Sequence, residues 1–294
     1  MSLDKISDSH EFPSSKEQCL PYVILYVYFL EDSVLSLSFP SPPVIETVLS
    51  VQFEELEKFR NVHFGHFHSL ISPDFPLSDD RPRLPRIFES FPAIPQMQRL
   101  KFQQAGGEPD RVWYRTSGES PLMLQVQPDR FSLNWCKHEG QSYPQYNSYR
   151  PEFIRRFEQF GNFAEEFGLG KVVPNLCEVS YINHIIPNEG ESPSECCSAV
   201  LAGVAWVSAD GWLPQPPETI SFNRTFPILS NLGRLYVEVY IANIDQRDAV
   251  VLKITARTIC GDVPPALDLA HEWVVKSFVS LTTEKSRKER WGEQ

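Results

Sequence analysis

Three polar residues in the strand-like segment CEVSYINHI have the types and spacing that could support chemistry. Glu178 and His184 are six residues apart, and this even separation puts both side chains on one side of an extended strand, while Asn183 points to the other side. A carboxylate and an imidazole can act together as general acid and base. The same groups can instead hold a sheet to a loop through hydrogen bonds. The segment therefore gives two catalytic candidates, Glu178 and His184, and one binding candidate, Asn183.

The remaining histidines and cysteines match neither a catalytic dyad nor a metal site. Cys136 and His138 are close in sequence, but cysteine–histidine dyads are usually assembled from distant segments. His63 and His66 share one face of a predicted helix, whereas His68 projects from the side opposite to His66. Because one helix cannot direct all three rings at one ion, the sequence predicts no metal site, and it predicts no cofactor.

Three aromatic residues could line a ligand pocket. Trp135 ends a predicted strand, and His271 and Trp273 lie on the last predicted helix. Rings of this kind combine an apolar body with a polar nitrogen, so they suit either a pocket wall or the core. Together with Asn183, these residues form the predicted binding set.

The charge balance limits the classes of partner. The 294 residues include 27 Lys or Arg and 38 Asp or Glu, which gives a net charge of −11. An acidic chain of this kind lacks the basic surface that is typical of a general DNA or RNA binder. An accessory role on nucleic acid would need a basic groove that this charge does not indicate. The sequence therefore favours an unknown protein or a small ligand as the partner.

Cysteine usage and hydropathy indicate a cytoplasmic protein without membrane attachment. The six cysteines form no CxxC pair and no regular framework, which is typical of a reducing compartment. The apolar run 22–30 is too short to span a bilayer and is followed by Glu31 and Asp32. We interpret residues 1–41 as an N-terminal extension that is disordered or results from a misplaced start.

Hydrophobic periodicity predicts the order of strands and helices after this extension. The predicted strands are 44–51, 98–104, 111–116, 122–127, 131–135, 177–186, 199–207, 219–226, 235–241 and 250–257, and the last two form a predicted hairpin over 234–259. The predicted helices are 54–71, 147–167 and 266–289. A proline-rich crossing, 73–95, follows the first helix and is expected to be a surface loop.

These elements predict an α+β fold made of two similar halves, 42–172 and 173–294. Each half runs in the order strand, helix or connection, about four strands and a long helix. We expect two antiparallel-sheet halves, each covered by its long helix, packed together as one unit. In topology this β-α-β4-α pseudo-repeat resembles the TATA-binding-protein-like or helix-grip folds, and that resemblance implies no function.

Five segments also carry a resemblance to a protein family. They are PPVIETVLSVQF (42–53), LMLQVQPDRFSLNW (122–135), YPQYNSYRPEFIRRFEQF (143–160), CEVSYINHI (177–185) and LDLAHEWVVKSFVSLTTEKSRKERWG (267–292). Their order resembles that of a family of uncharacterised, sporadically distributed prokaryotic proteins. The resemblance implies no catalytic residue and no cofactor. The scattered distribution implies an accessory role linked to defence or mobile elements.

Two functions of different classes remain open. The first is a non-catalytic module that binds a protein or a ligand through a polar sheet face. The expected members of that face are Gln125, Gln127, Ser132, Asn134, Tyr236, Glu238 and Tyr240. The alternative is a hydrolase-type enzyme that uses Glu178 and His184 in a pocket between the sheet and the C-terminal helix. Convergent Glu and His side chains would favour the enzyme, and an exposed patch without them would favour the binding module.

Overall fold

The computed structural model describes residues 39–91, 111–118, 120–204, 211–213, 217–229, 231–244 and 246–294. The predicted strand 98–104 and residues 1–38 of the predicted extension lie outside these residues. The last residues of that extension pack on the fold. Phe39 meets Phe278 edge-on, with ring centroids 5.5 Å apart, and the N–H of Ser41 donates to the carbonyl of Trp291 at 3.4 Å.

Nine strands form a single antiparallel sheet in the described part of the chain. They are β1 Val44–Phe53, β2 Leu77–Arg81, β3 Arg111–Arg115, β4 Leu122–Gln127, β5 Arg130–Cys136, β6 Pro174–Ile185, β7 Ser221–Ile228, β8 Gly233–Ile244 and β9 Arg247–Ile259. Their order across the sheet is β2-β3-β4-β5-β1-β6-β9-β8-β7. The α+β class is confirmed, but the prediction of two sheet halves, each covered by a long helix, is wrong.

The pairing of β1 with β6 makes the sheet continuous. The two strands are antiparallel neighbours from Val44, opposite Asn183, to Phe53, opposite Pro174. β1 also pairs with β5 and β6 with β9, so both are central strands without a free edge. The pairing joins segments that are distant in the chain, and no local periodicity specifies it.

The helices of the described residues lie mainly over one face of this sheet. They are α1 Asn61–Ile71, α2 Tyr146–Glu166, α3 Pro193–Val200, α4 Val263–Leu281 and α5 Glu284–Trp291. Phe67 of α1 and Phe160 of α2 both contact Phe131 of β5, and α4 packs on β6 and β9. Among these helices none has the length and apolar composition needed to cross a membrane.

Strand alternation divides the sheet into an apolar face and a polar face. On β5, Phe131 and Trp135 are buried beneath the helices, and Ser132 points to the opposite side. Cross-strand register extends this division, because Ser132 is opposite Ser50 of β1 and Ser50 is opposite Glu178 of β6. The core therefore lies on one side of the sheet, and a continuous row of polar side chains lies on the other.

Two helix caps correct predicted boundaries. The first helix begins at Asn61 rather than at residue 54, because the N–H of Arg60 donates to the ring of His63 at 2.8 Å and so caps the helix there. The predicted final helix, 266–289, consists of two helices. Thr283 accepts the N–H of Ser286 at 3.3 Å and begins α5.

The predicted strand 199–207 is wrong where the structure describes it, because its first residues belong to α3. The N–H of Glu195 donates to Ser192 Oγ at 3.3 Å, and the carboxylate of Glu195 accepts the N–H of Ser192 at 2.9 Å. This reciprocal pair is a capping box, and Pro193 suits the first helical position. Ala199 and Val200 therefore end a short helix, and Leu201 makes only an isolated β-bridge to Thr282.

Candidate ligand-binding face of the sheet

The polar face of the sheet is the surface opposite the helices. Cross-strand register places on it the seven residues expected there, with Gln125, Gln127, Ser132 and Asn134 on β4 and β5 and Tyr236, Glu238 and Tyr240 on β8. The same register adds Gln52 of β1, Glu178 of β6, Arg257 of β9 and Arg234 of β8. We call this surface the polar face.

Residues 82–91, which we call the strap, run across the polar face directly after β2. Gln127 on β4 holds Leu84: the N–H of Leu84 donates to Oε1 at 3.1 Å, and Nε2 donates to the carbonyl of Leu84 at 3.2 Å. Gln52 on β1 holds Ile87 in the same way, at 2.8 and 2.9 Å. Each side-chain amide therefore binds both backbone groups of one strap residue, as a neighbouring strand would.

The spacing of these contacts matches an extended chain. Leu84 and Ile87 are three residues apart, which corresponds to about 9–10 Å of extended chain. β4 and β1 are separated by one strand, and two strand spacings also span about 9–10 Å. Pro82, Pro85 and Phe88 are exposed and share the three-residue period. Because proline has no N–H, two of the outward positions lack a donor that would need a partner.

The strap carries a buried carboxylate near its end. The side chain of Glu89 is 3% exposed and forms an ion pair with Arg234. The hydroxyl of Tyr236 donates to the same carboxylate at 2.6 Å. Arg257 lies 3.7 Å from it and donates to Glu178 at 2.6 Å. Two arginines and one tyrosine therefore converge on a single acidic side chain of the strap.

Burial and nearby carboxylates together set the pKa values of Arg257 and Tyr236. Burial acts to lower the pKa of Arg257, but Glu178, Tyr236 and Glu89 outweigh burial and leave the pKa raised. Burial raises the pKa of Tyr236, and its hydrogen bond to Glu89 raises it further. At neutral pH the arginine is therefore a cation and the phenol is a donor, and both states suit a bound carboxylate.

The structure keeps the two catalytic candidates apart. Glu178 and His184 both point to the polar face, but six residues of β6 separate them, which is about 20 Å along the strand. Glu178 is engaged by Arg257. No described side chain hydrogen-bonds to the ring of His184, whose pKa is lowered by burial. Asn183 points to the apolar face and donates to the carbonyl of Leu252 at 3.0 Å.

The aromatic candidates lie on the apolar face. Trp135 meets Tyr143 with ring centroids 5.4 Å apart, and His271 stacks on Tyr146 at 3.8 Å. Burial lowers the pKa of His271 to about 4, so its ring is neutral near pH 7. Trp273 is partly buried against the same core. These contacts are those of core packing.

Histidines 63, 66 and 68 do not converge. The rings of His63 and His66 have centroids 6.5 Å apart, whereas His68 stacks on Tyr114 and lies 2.9 Å from the carbonyl of Phe75. Within the described ranges, no group of three or more His, Cys, Asp or Glu side chains is arranged to hold a metal ion.

Sequence reasoning missed the residues that organise the strap. Gln52 directly follows the predicted strand 44–51, and Glu89 lies in the segment 73–95 that was predicted to be a surface loop. Arg234 and Arg257 belong to a predicted hairpin without any sign of a shared partner. One signal was present, since the strap contains prolines three residues apart, the period of an extended polyproline helix.

Comparison of the chain with models of known protein families, with curated proteins and with solved structures finds no match. The resemblance to a prokaryotic family therefore stays a prediction. The geometry of the polar face is the basis on which a function can be argued.

Proposed function

We propose that this protein is a non-catalytic binding module whose polar face binds an extended segment of a polypeptide partner. The observation that supports this most strongly is the pair of amides, Gln52 and Gln127, each bonded to both backbone groups of one strap residue. Backbone groups are common to all peptides, so these contacts do not depend on the side chains of the strap. The strap occupies the polar face as an intramolecular ligand.

The site around Glu89 supplies selectivity for the proposed partner. When a sheet binds a peptide, main-chain hydrogen bonds supply affinity, and pockets for particular side chains supply specificity. Here Arg234, Tyr236 and Arg257 select a carboxylate two residues after the second backbone contact. Prolines favour the extended state before binding, which lowers the entropic cost of association. The proposed partner is therefore an extended, proline-containing segment with an acidic residue.

Because the strap is covalently linked to the sheet, it competes strongly with an external segment for the polar face. A segment that is linked through a short connection acts at an effective concentration in the millimolar range. An external segment with similar contacts therefore binds weakly until the strap leaves. Release of the strap is the step that would open the polar face to a partner.

The geometry favours binding over the hydrolase alternative. A general acid and base must lie within about 3 Å of the groups they serve, but Glu178 and His184 are about 20 Å apart along β6. Glu178 is also neutralised by Arg257, which is the arrangement of a structural ion pair.

We place this interaction in the cytoplasm. The described cysteines are free thiols, and the sulfur atoms of Cys177 and Cys260 lie 3.2 Å apart without a bond between them. Thiols in such proximity persist in a reducing compartment, which supports this location.

Peptide binding to a chain with a replaced strap tests the proposal. In this variant, residues 84–90 become a Gly–Ser sequence of equal length, so the connection remains while Pro85 and Glu89 are lost. A fluorescent peptide with the sequence of residues 81–91 should bind the variant at least tenfold more tightly than the intact chain, as measured by fluorescence anisotropy. A peptide of scrambled order serves as the control. Failure of the peptide to bind either chain, or equal binding of the scrambled peptide, would contradict the proposal.

A further inference from the structure

We infer that Arg81, Arg111 and Trp113 form an oxyanion site at the β2–β3 edge of the polar face, and that it takes a phosphate group. Arg81 and Arg111 are directly opposite each other in the strand register. Like charges in opposed positions of neighbouring strands repel, and arginine does not lose its proton in proteins. The pair is therefore unfavourable unless an anion lies between the two guanidinium groups.

Neither arginine is paired with a carboxylate among the residues that the structure describes. Arg111 Nη1 donates to the neutral amide oxygen of Gln125 at 2.6 Å. The Nε atoms of Arg81 and Arg111 are buried without a hydrogen-bond partner, which is unfavourable for a donor. Arg115, on the same strand and face, differs because it pairs with Asp79 at 2.6 Å. The β2–β3 edge thus has two cations and unused donors.

Trp113 holds the two guanidinium groups in place. The guanidinium carbons of Arg81 and Arg111 lie 4.2 and 5.5 Å from the centroid of its ring, within the range of a cation–π contact. The indole N–H of Trp113 donates to Gln125 Oε1 at 2.9 Å, so the ring itself is oriented. Donors that are ordered in advance lose little entropy when a ligand binds.

A phosphate monoester fits this site better than a carboxylate does. Guanidinium groups bind phosphate oxygens through pairs of parallel hydrogen bonds. A phosphate monoester carries close to two negative charges at neutral pH, which would neutralise both cations, whereas a carboxylate would neutralise one. Burial lowers the pKa of Arg111, and the charges of Arg130 and Arg81 lower it further. A bound dianion would oppose the repulsion from both neighbouring cations.

Calorimetric titration of the full chain with inorganic phosphate at low salt tests the site. Wild-type protein should bind one equivalent. Arg81→Gln and Arg111→Gln should each weaken the affinity for phosphate at least tenfold. Arg115→Gln is the matched control, because Arg115 already has Asp79 as its partner, and it should leave the affinity unchanged. Phosphoserine and a sugar phosphate, titrated in parallel, distinguish a modified side chain from a small molecule as the source of the phosphate.

Three results would overturn the assignment. They are no phosphate binding by the wild type, unchanged phosphate affinity in both variants, and equal affinity for acetate. Each variant removes the charge repulsion between Arg81 and Arg111, so in the absence of phosphate each should have a Tm no lower than that of the wild type. Because the two substitutions lie on different strands, one variant still tests the site if the other fails to fold. The site does not depend on the proposed peptide binding. Arg111→Gln should therefore leave binding of the strap peptide unchanged.

Discussion

Arg257 connects the strap to the sheet through a single side chain. Its Nε donates to Glu178 at 2.6 Å, its Nη1 lies 3.7 Å from Glu89, and its guanidinium carbon lies 4.6 Å from the centroid of Tyr236. The register of β6 and β9 fixes the first contact, and the strap supplies the second. Loss of one carboxylate would leave a half-buried cation with less compensation, which is costly. The position of the strap is therefore coupled to the ion pair beneath it.

His271 should make the stability of the protein depend on pH. Its pKa is about 4 in the folded protein, against an ordinary value of 6.5, so the unfolded chain binds more protons between these values. Stability from the neutral ring is complete above about pH 6.5 and is lost as the pH falls towards 4. The loss is at most about 3 kcal/mol. His271→Phe keeps a ring against Tyr146 and removes the titration.

Urea unfolding at several pH values checks this prediction. The free energy of unfolding of the wild type, relative to His271→Phe, should fall between pH 6.5 and 4.5. The carboxylate of Asp268, which acts to raise the pKa of His271, is present in both proteins, so its effect largely cancels. Parallel curves for the two proteins across this range would show that the folded protein does not depress the pKa of His271.

Alternation identified the members of the polar face but not their partners. A period of two is enough to place Gln127 and Asn134 on one side of a hairpin. It does not show that Gln127 binds Leu84 or that Asn134 donates to Glu46, as it does at 2.6 Å. Those partners come from other segments, and their positions follow from strand order, which a local pattern does not contain.

Local capping residues determine helix boundaries that hydrophobic periodicity alone predicts wrongly. The sequence Ser192-Pro193-Ser194-Glu195 carries a capping-box signature with proline at the first helical position. This capping signature, unlike the hydrophobic pattern that follows it, correctly indicates the start of α3. The strap is a different case, because its path is fixed by side-chain amides on β1 and β4 and by the arginines of β8 and β9.

Glu89→Gln should loosen the strap without unfolding the sheet. The substitution removes the charge that Arg234 and Arg257 compensate, and breaking a buried pair is destabilising. Hydrogen exchange of the Leu84 and Ile87 amides, measured by mass spectrometry or NMR, should accelerate about tenfold or more, which corresponds to about 1.4 kcal/mol.

Glu238→Gln provides the matched control for this measurement. Glu238 lies on the same face and pairs with Lys253 at 2.8 Å, and both side chains are more than a third exposed. Exposed pairs contribute little, so exchange in the strap should stay unchanged. Equal acceleration in both variants would mean that Glu89 does not hold the strap.

Because the nine described strands form one continuous sheet, we expect the whole fold to unfold as one cooperative unit. Phe160 of α2 and Leu267 of α4 are both fully buried and pack over different strands of the sheet. Phe160→Ala should destabilise by about 3–5 kcal/mol and Leu267→Ala by about 2–5 kcal/mol. Since β1 and β6 pair at the centre, each substitution should shift a single unfolding transition that fluorescence and circular dichroism report together.

Separate transitions would contradict this prediction. Two independent halves would unfold in two steps, and each substitution would then shift only one of them. Phe88→Ala is a useful control for aromatic truncation, because Phe88 is 70% exposed and its loss should change stability by less than about 0.5 kcal/mol.

Local periodicity predicted the hairpins at 122–135 and 234–259 and the long helix that became α2, because each carries a strong and uninterrupted pattern. The division into two sheets was wrong, because the union of β1 and β6 is a long-range pairing. The polar face was predicted as a surface. Its occupancy by the strap was not, since the strap has neither a helix period nor a strand period.

Backbone N-methylation of the strap peptide tests most directly whether the polar face binds an extended backbone. Methylation at the Leu84 or the Ile87 position removes one N–H that the glutamines accept, and methylation at the Phe88 position, whose side chain is exposed, is the control. Binding to the chain with the replaced strap should weaken about tenfold at each of the first two positions, because one hydrogen bond contributes about 1 kcal/mol or slightly more. The control should bind nearly unchanged. Equal affinity for all three methylated peptides would contradict recognition of the backbone by Gln52 and Gln127.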